Sequence, residues 1–384
     1  LAMKSLQLTP RGVAALLVVV TPLLAQPVVT LSPSAAPDRT PAALAPRPES
    51  NPRFAALLPP PRVAPFQSGP FALRPHASFS YVHSDGLLVQ PGEQLTTSIY
   101  SVSAGCIVDL GTHWSFDYTG LKSWYSNDAF RNSFDHTAAL SGGTQYEDWS
   151  FRLGHVYATS SAPLVETGRQ TKQHTHITSL FVGRALGSRA GVEVTAEQQL
   201  RSAEDAPSSH EWPVNAWFNY RIAPDLDVAV GLGGGFADVE PGANQLYRRP
   251  QARVSWRPRN TLTLRVSGGE EHRTFYGHTT SKLRRPVFDG AIEYRPTRTT
   301  RLTAHGGREV AVSYFTSQVS ENTLQGYSLQ QRLLGHFFLT ASFEKQRMHY
   351  IGVDPLGRLL TELRDDSRRT SRIELSTAFL QRGS

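Results

Sequence analysis

From about residue 75 onward the chain repeats a beat of two, with apolar residues on one parity and polar residues on the other. Trp114, Phe116 and Tyr118 alternate with Ser115, Asp117 and Thr119; Ala190, Val192, Val194 and Ala196 alternate with Gly191, Glu193, Thr195 and Glu197. The beat returns in Leu339, Ala341 and Phe343 against Thr340, Ser342 and Glu344. Successive side chains of a strand point to opposite faces, so each run is a strand with one greasy face. In a water-soluble sandwich that face would be the core. Here many of the opposite faces carry charge, and the gaps between runs alternate between short and long. The pattern predicts an all-β fold: a transmembrane, antiparallel, up-and-down β-barrel with its greasy face toward lipid, closed so that no backbone group is left unpaired in hydrocarbon.

The connections count the strands independently. Short turns are expected at 109–112, around 142–145, and at 186–189, 223–225, 257–260, 295–299 and 334–336, where Gly, Pro, Asp and Asn supply tight-turn torsions. Longer polar loops are expected at 84–96, 122–132, 159–173, 201–211, 238–246, 272–283, 316–323 and 348–369, the last being the longest. Seven turns alternating with eight loops require about sixteen strands, with both ends of the barrel chain on the turn side. Trp114, Trp149, Tyr157, Trp212, Tyr220, Tyr247, Trp256, Tyr294 and Tyr314 lie near strand ends, as interfacial girdles require. The lone Cys106 shares the apolar parity of its strand and excludes an intrachain disulfide.

Ahead of the barrel, Lys4 and Arg11 precede an apolar run from Val13 to Leu24, too short to cross a bilayer as a helix. Residues 1–25 are therefore expected to be a secretory signal peptide. Residues 26–74 are expected to be a Pro/Ala-rich disordered periplasmic leader, since 12 of the 26 prolines fall between Gln26 and Pro70. Residues 75–384 form the expected barrel. The net charge of +7 comes from 34 arginines and five lysines scattered over strands and loops rather than gathered on one element, so no nucleic-acid partner is expected.

Three turns share a pattern: Tyr220-Arg221-Ile222-Ala223-Pro224-Asp225-Leu226, Trp256-Arg257-Pro258-Arg259-Asn260-Thr261-Leu262 and Tyr294-Arg295-Pro296-Thr297-Arg298. With the closing run Ile373, Leu375, Thr377 and Phe379, the chain resembles the β-barrel porin families of Gram-negative outer membranes, particularly the group found near exopolysaccharide export genes. That resemblance implies a cell outer-membrane location, insertion by the barrel assembly machinery, contact with outer-membrane lipid, and an extracellular polysaccharide as cargo.

If the apolar parity faces lipid, the other parity lines the interior. The expected pore-lining residues are Arg152, Glu193, Arg253, Arg265, Asp289, Glu293, His305, Arg332, Glu344, Arg372 and Glu374. A sixteen-stranded wall is wide enough for an aqueous channel, and charges inside it set selectivity by their local field. The expected function is passive or gated passage of hydrophilic solutes, including polysaccharide; the alternative is a non-conducting barrel whose surface loops bind a partner. No nucleophile elbow is present, so no catalytic residue is expected. Gly233, Gly234 and Gly235 are followed by no Lys-Ser or Lys-Thr, and His174 with His176 has no nearby Cys or acid, so neither cofactor nor metal is expected.

Overall fold

The computed structural model describes residues 66–90, 93–111, 113–164, 169–204, 206–240, 243–276, 280–313, 318–333, 337–353 and 359–377. The expected signal peptide, most of the expected leader, Tyr314 and Phe379 lie outside these residues. Sixteen long strands follow in chain order: β1 (Phe71–Gln90), β2 (Glu93–Leu110), β3 (Trp114–Tyr125), β4 (Ser133–Tyr146), β5 (Trp149–Ser160), β6 (Gln173–Leu186), β7 (Ala190–Ala203) and β8 (Ala206–Ala223). The second half comprises β9 (Leu226–Glu240), β10 (Asn244–Arg259), β11 (Leu262–Tyr276), β12 (Thr280–Tyr294), β13 (Thr300–Val312), β14 (Gln318–Leu333), β15 (Phe337–Val353) and β16 (Leu359–Thr377). Each pairs antiparallel with the next, and β16 returns to β1 through Arg369↔Asp85 to Leu375↔Phe79. The sheet is a closed, up-and-down barrel. A short strand, Phe66–Ser68, doubles back on the start of β1.

The register places the greasy parity outward. On β9 to β12 the rows run Leu226, Trp256, Leu264 and Ile292, then Val228, Val254, Val266 and Gly290, then Val230, Ala252, Gly268 and Phe288. Val230 is 62% exposed and Phe288 50%. Apolar groups this exposed, repeated around the wall, are stable only against hydrocarbon. At the turn side Trp114, Tyr220, Trp256 and Tyr294 stay outward and exposed as an aromatic belt. The three-turn pattern has a structural counterpart there: the amides of Arg221, Arg257 and Arg295, each just after the aromatic, donate to the carbonyls of Arg189, Asp225 and Thr261 at 2.7–2.8 Å, tying each turn to the one before it.

Three expectations need correction. The turn expected around 142–145 falls at 147–148, where Glu147 takes φ 50°. Gly142 lies in β4 because a Cβ there would overlap the Trp114 ring. That glycine makes room for a girdle tryptophan rather than bending the chain. The long loops are mostly strand: of 348–369, only 354–358 lie between β15 and β16. Polar residues there hold cross-strand pairs of their own, such as His349 Nδ1 with Asp365 Oδ1 at 2.6 Å, so the ladder continues beyond the apolar band. Finally, Tyr247 belongs to no girdle. It points inward, 7% exposed, and donates its hydroxyl to Glu211 Oε1 at 2.7 Å.

Candidate functional site

The inner face is divided. On β1 to β4 it carries Ser78, Ser84, Ser101, Ser103, Ser123 and Ser133, with Val82 and Ile99 near the loop side. These hydroxyls pair with one another across strands, Ser78 with Ser103 at 2.7 Å and Ser101 with Ser123 at 3.0 Å. On β7 to β12 it carries a ladder of charge. Glu193, 3% exposed, pairs with Arg253, whose guanidinium also donates to Asn219 Oδ1 at 2.7 Å and stacks 4.5 Å over Trp217. Glu271 sits between Arg249 at 2.5 Å and Arg273 at 2.8 Å. Arg273 also donates to Gln245 Oε1 at 2.6 Å and to the Val310 carbonyl at 3.0 Å. Each of these buried ions has an opposite charge beside it, which offsets a desolvation cost of several kcal/mol per ion.

The bond from Arg273 to Val310 marks the main feature of the lumen. β11 and β12 pair along their whole length, up to Tyr276↔Thr280. β12 and β13 pair only from Tyr294↔Leu302 to Phe288↔Arg308. Above that point residues 280–287 have a ladder partner only on β11, among the described residues. Likewise β16 pairs with β1 only from Arg369 down. The loop-side halves of β13 to β16 thus leave the wall together as a four-stranded tongue, and they bend into the barrel.

Their contacts fix the direction of that bend. Val310, Val319 and Ile351 stand on the parity that faces lipid lower down, where Leu302, Tyr327 and Phe343 are exposed. In the tongue they are 5% exposed or less and pack on Phe275, Leu283 and Val287, which point inward from β11 and β12. Val312 reaches farther, to Ala237 and Val239 inside β9. An ionic contact accompanies the apolar one: Glu321 of β14 accepts from Arg285 of β12 at 2.9 Å and from Arg308 of β13. The other face of the tongue is buried too, with Ser320, Asn322, Met348 and Tyr350 at 3% exposure or less. From the opposite side, Phe130 between β3 and β4 packs on Val82 and Ile99, and the backbone of Arg131 is clasped by the Gln170 amide at 2.6 and 2.7 Å. Polypeptide thus packs on the inner wall at the loop side from two directions.

The residues singled out in the sequence are distributed along this wall. Arg152 lies inside β5, 4.5 Å over the Phe181 ring. Glu193 and Arg253 are brought together as described. Arg265 and Asp289 stand on the inner faces of β11 and β12 below the tongue. Glu293 is clamped by Arg295 at 2.5 Å and Arg301 at 2.7 Å near the turn side, where Arg332 also ends its strand. His305 faces Gly326, where a Cβ would strike the imidazole ring. Glu344 follows on β15, and Arg372 and Glu374 stand two apart on the inner face of β16. The structure does not gather all of these at one point. Glu211, Arg249, Glu271, Arg273, Arg285, Arg308 and Glu321, none of them expected from the sequence, join Tyr247 in anchoring the tongue and its supporting wall. A signal is available: Arg308 and Glu321 place opposite charges on the lipid parity of two successive strands, close enough in register to meet. Among the described residues, no group of three or more His, Cys, Asp or Glu side chains is placed to hold a metal ion.

The fold and lumen define a transmembrane β-barrel. No family model matches the chain, and no curated protein matches it. Among solved structures it is similar in shape to a bacterial polysaccharide outer membrane secretin, at 8% identity and TM-score 0.42, covering 79% of this chain and 98% of that one. It is also similar to the FrpB iron transporter from Neisseria meningitidis, at 9% identity and TM-score 0.44 over 78% of this chain and 59% of that chain. A third is the NanC porin, at 11% identity and TM-score 0.30 over 53% of this chain and 93% of that one.

Proposed function

We propose that the protein is a gated channel of the cell outer membrane, a conduit for hydrophilic solutes whose loop-side mouth is closed by the tongue. The packing of Val310, Val319 and Ile351 inside the barrel carries this reading. A sixteen-stranded wall has room for an aqueous lumen, and here part of the wall has moved inward to occupy it. The sequence resemblance supports an extracellular polysaccharide as cargo, and the serine wall facing an Arg/Glu wall offers the hydroxyl and charge partners that a sugar chain uses. Insertion by the barrel assembly machinery and contact with outer-membrane lipid belong to the same proposal. No catalytic step is assigned.

A second reading, a non-conducting barrel whose loops bind a partner, is favoured by the burial of both faces of the tongue. Recording from the purified protein in a planar bilayer separates the two. The channel gives stepwise currents that rise in frequency when the tongue is loosened by Glu321→Gln. A plugged barrel stays silent in both forms.

A further inference from the structure

Outside the barrel, on the wall that holds the tongue, lies a cluster of basic side chains that the channel reading does not use. Arg248 of β10 pairs in register with His272 of β11, and His272 with Arg284 of β12, so three basic groups stand in one outward row. Lys282 stands one row higher, beside Thr274. Glu270 is the acid beneath them; it binds Arg284 Nε at 2.5 Å and His272 Nε2 at 3.2 Å. Arg248 and Lys282 are exposed, and Arg284 is 69% exposed despite its partner. On the β9 side the neighbour of Arg248 is Gly234, which leaves that flank uncovered.

Height in the membrane gives the cluster its meaning. Directly below it come Pro250 and Pro286, then the apolar rows already described, then Trp256 and Tyr294 in the turn-side belt. From Trp256 to Arg248 is eight residues, about 27 Å along a strand and about 21 Å along the membrane normal at the usual tilt. The apolar band of an outer-membrane barrel is about 25 Å tall. The basic row therefore lies at the outer edge of the hydrocarbon, at the depth of lipid headgroups. Cations there are costly unless anions meet them, and guanidinium groups match phosphate oxygens in pairs.

We infer that this row binds the phosphate groups of the glycolipid that forms the outer leaflet. The inference rests on the outer-membrane part of the proposed function and not on conduction. Arg248 and Arg284 approach one phosphate from the two strands that flank β11, His272 of β11 lies between them, and Lys282 reaches it from above. Glu270 holds Arg284 in place.

Native mass spectrometry of the full-length protein with bis-phosphorylated lipid A, and with the same lipid after enzymatic dephosphorylation, tests this. The wild type retains the phosphorylated form and loses the dephosphorylated one. The triple variant Arg248→Gln, Lys282→Gln, Arg284→Gln binds the phosphorylated form about a hundredfold more weakly. The charge-preserving pair Arg248→Lys and Arg284→Lys keeps most of the binding, and unchanged heat-dependent gel mobility confirms that each variant is a folded barrel. Equal binding of both lipids by the wild type, or undiminished binding by a folded triple variant, overturns the inference. Bilayer recording on the same preparations keeps the two proposals apart: a silent protein that binds lipid A sinks the channel alone, and a conducting protein that ignores lipid A sinks this site alone.

Discussion

The inner faces of β1 to β4 and of β7 to β12 are built from the same backbone pattern and reach opposite solutions. The first is lined mainly by hydroxyls, Ser78 paired with Ser103 and Ser101 with Ser123, and the carboxylates of Asp117 and Asp135 there accept from the hydroxyls of Thr119 and Ser133. The second is lined by ions that demand partners, and one carboxylate repeatedly serves two guanidiniums: Glu271 for Arg249 and Arg273, Glu293 for Arg295 and Arg301. The first wall holds a short piece of chain, Phe130, against Val82 and Ile99 by apolar contact. A wall of ions beside Phe275, Leu283 and Val287 has both charge and grease to offer, and the tongue docks there. The contrast teaches that the tongue is held by the specific chemistry of one wall rather than by the barrel as a whole.

The strongest way to break the comparison is to remove the carboxylate the tongue shares with the wall. Glu321→Ala leaves Arg285 and Arg308 without their partner, and losing one member of a buried pair costs about 3 kcal/mol or more. If the tongue moves as a unit, its open-to-closed ratio rises by about a hundredfold, read as open probability in a bilayer. The matching change on the other wall, Ser101→Ala, leaves open probability as it was.

A second test contrasts two adjacent glycines of β11. A Cβ at Gly269 would meet the Pro250 carbonyl and the Gln251 backbone, which cannot retreat, whereas at Gly268 it would rest 3.6 Å from Phe288 and Val287. Gly269→Ala is expected to lower barrel stability by about 2 kcal/mol, and Gly268→Ala to leave it within about 0.5 kcal/mol, by heat-dependent gel mobility or urea unfolding. Equal effects would mean that the inner wall yields more than its close packing implies.

A third, smaller effect concerns docking by grease. Leu283→Ala removes a side chain that is 4% exposed beneath Val310 and Val319, costing about 2 kcal/mol of tongue docking. It raises channel openings less than Glu321→Ala does. The smallest expected effect is on selectivity. Arg253→Gln leaves Glu193 unpaired in the charged wall and shifts the reversal potential toward cations by a few millivolts, while Ser78→Ala shifts nothing.

Much of the barrel is legible in the sequence because period two is a local signal: Trp114, Phe116 and Tyr118 announce their face whatever the rest of the chain does. Strand number is legible because turns and loops must alternate. Loop length is not legible, because the upper strands, rich in Arg, Asp, Ser and His, have the polarity of loops while their backbone stays in the ladder. The tongue was invisible for a different reason. Val310, Val319 and Ile351 keep the lipid-facing parity, and whether such a face meets lipid or the inside of its own barrel depends on where β13 parts from β12, a long-range event. Pro286 and the neighbouring Lys282 and Arg284 hint at it, since a strand that will lose its ladder partner tolerates a missing amide and guards its edge with charge. In the charged wall, parity alone exposes Glu193 and Arg253 as inward groups, whereas the sharing of Glu271 between Arg249 and Arg273 depends on cross-strand register that no single strand carries.

The most direct test is to tether the tongue to the wall it rests on. With Cys106→Ser as background, cysteines at Leu283 and Val319 joined by a short reducible crosslink hold β12 and β14 together, and single-channel currents are recorded before and after reduction. Silence while crosslinked, followed by stepwise openings on reduction, is the predicted result. Identical currents in both states would contradict the claim that this piece of wall, folded inward, closes the barrel.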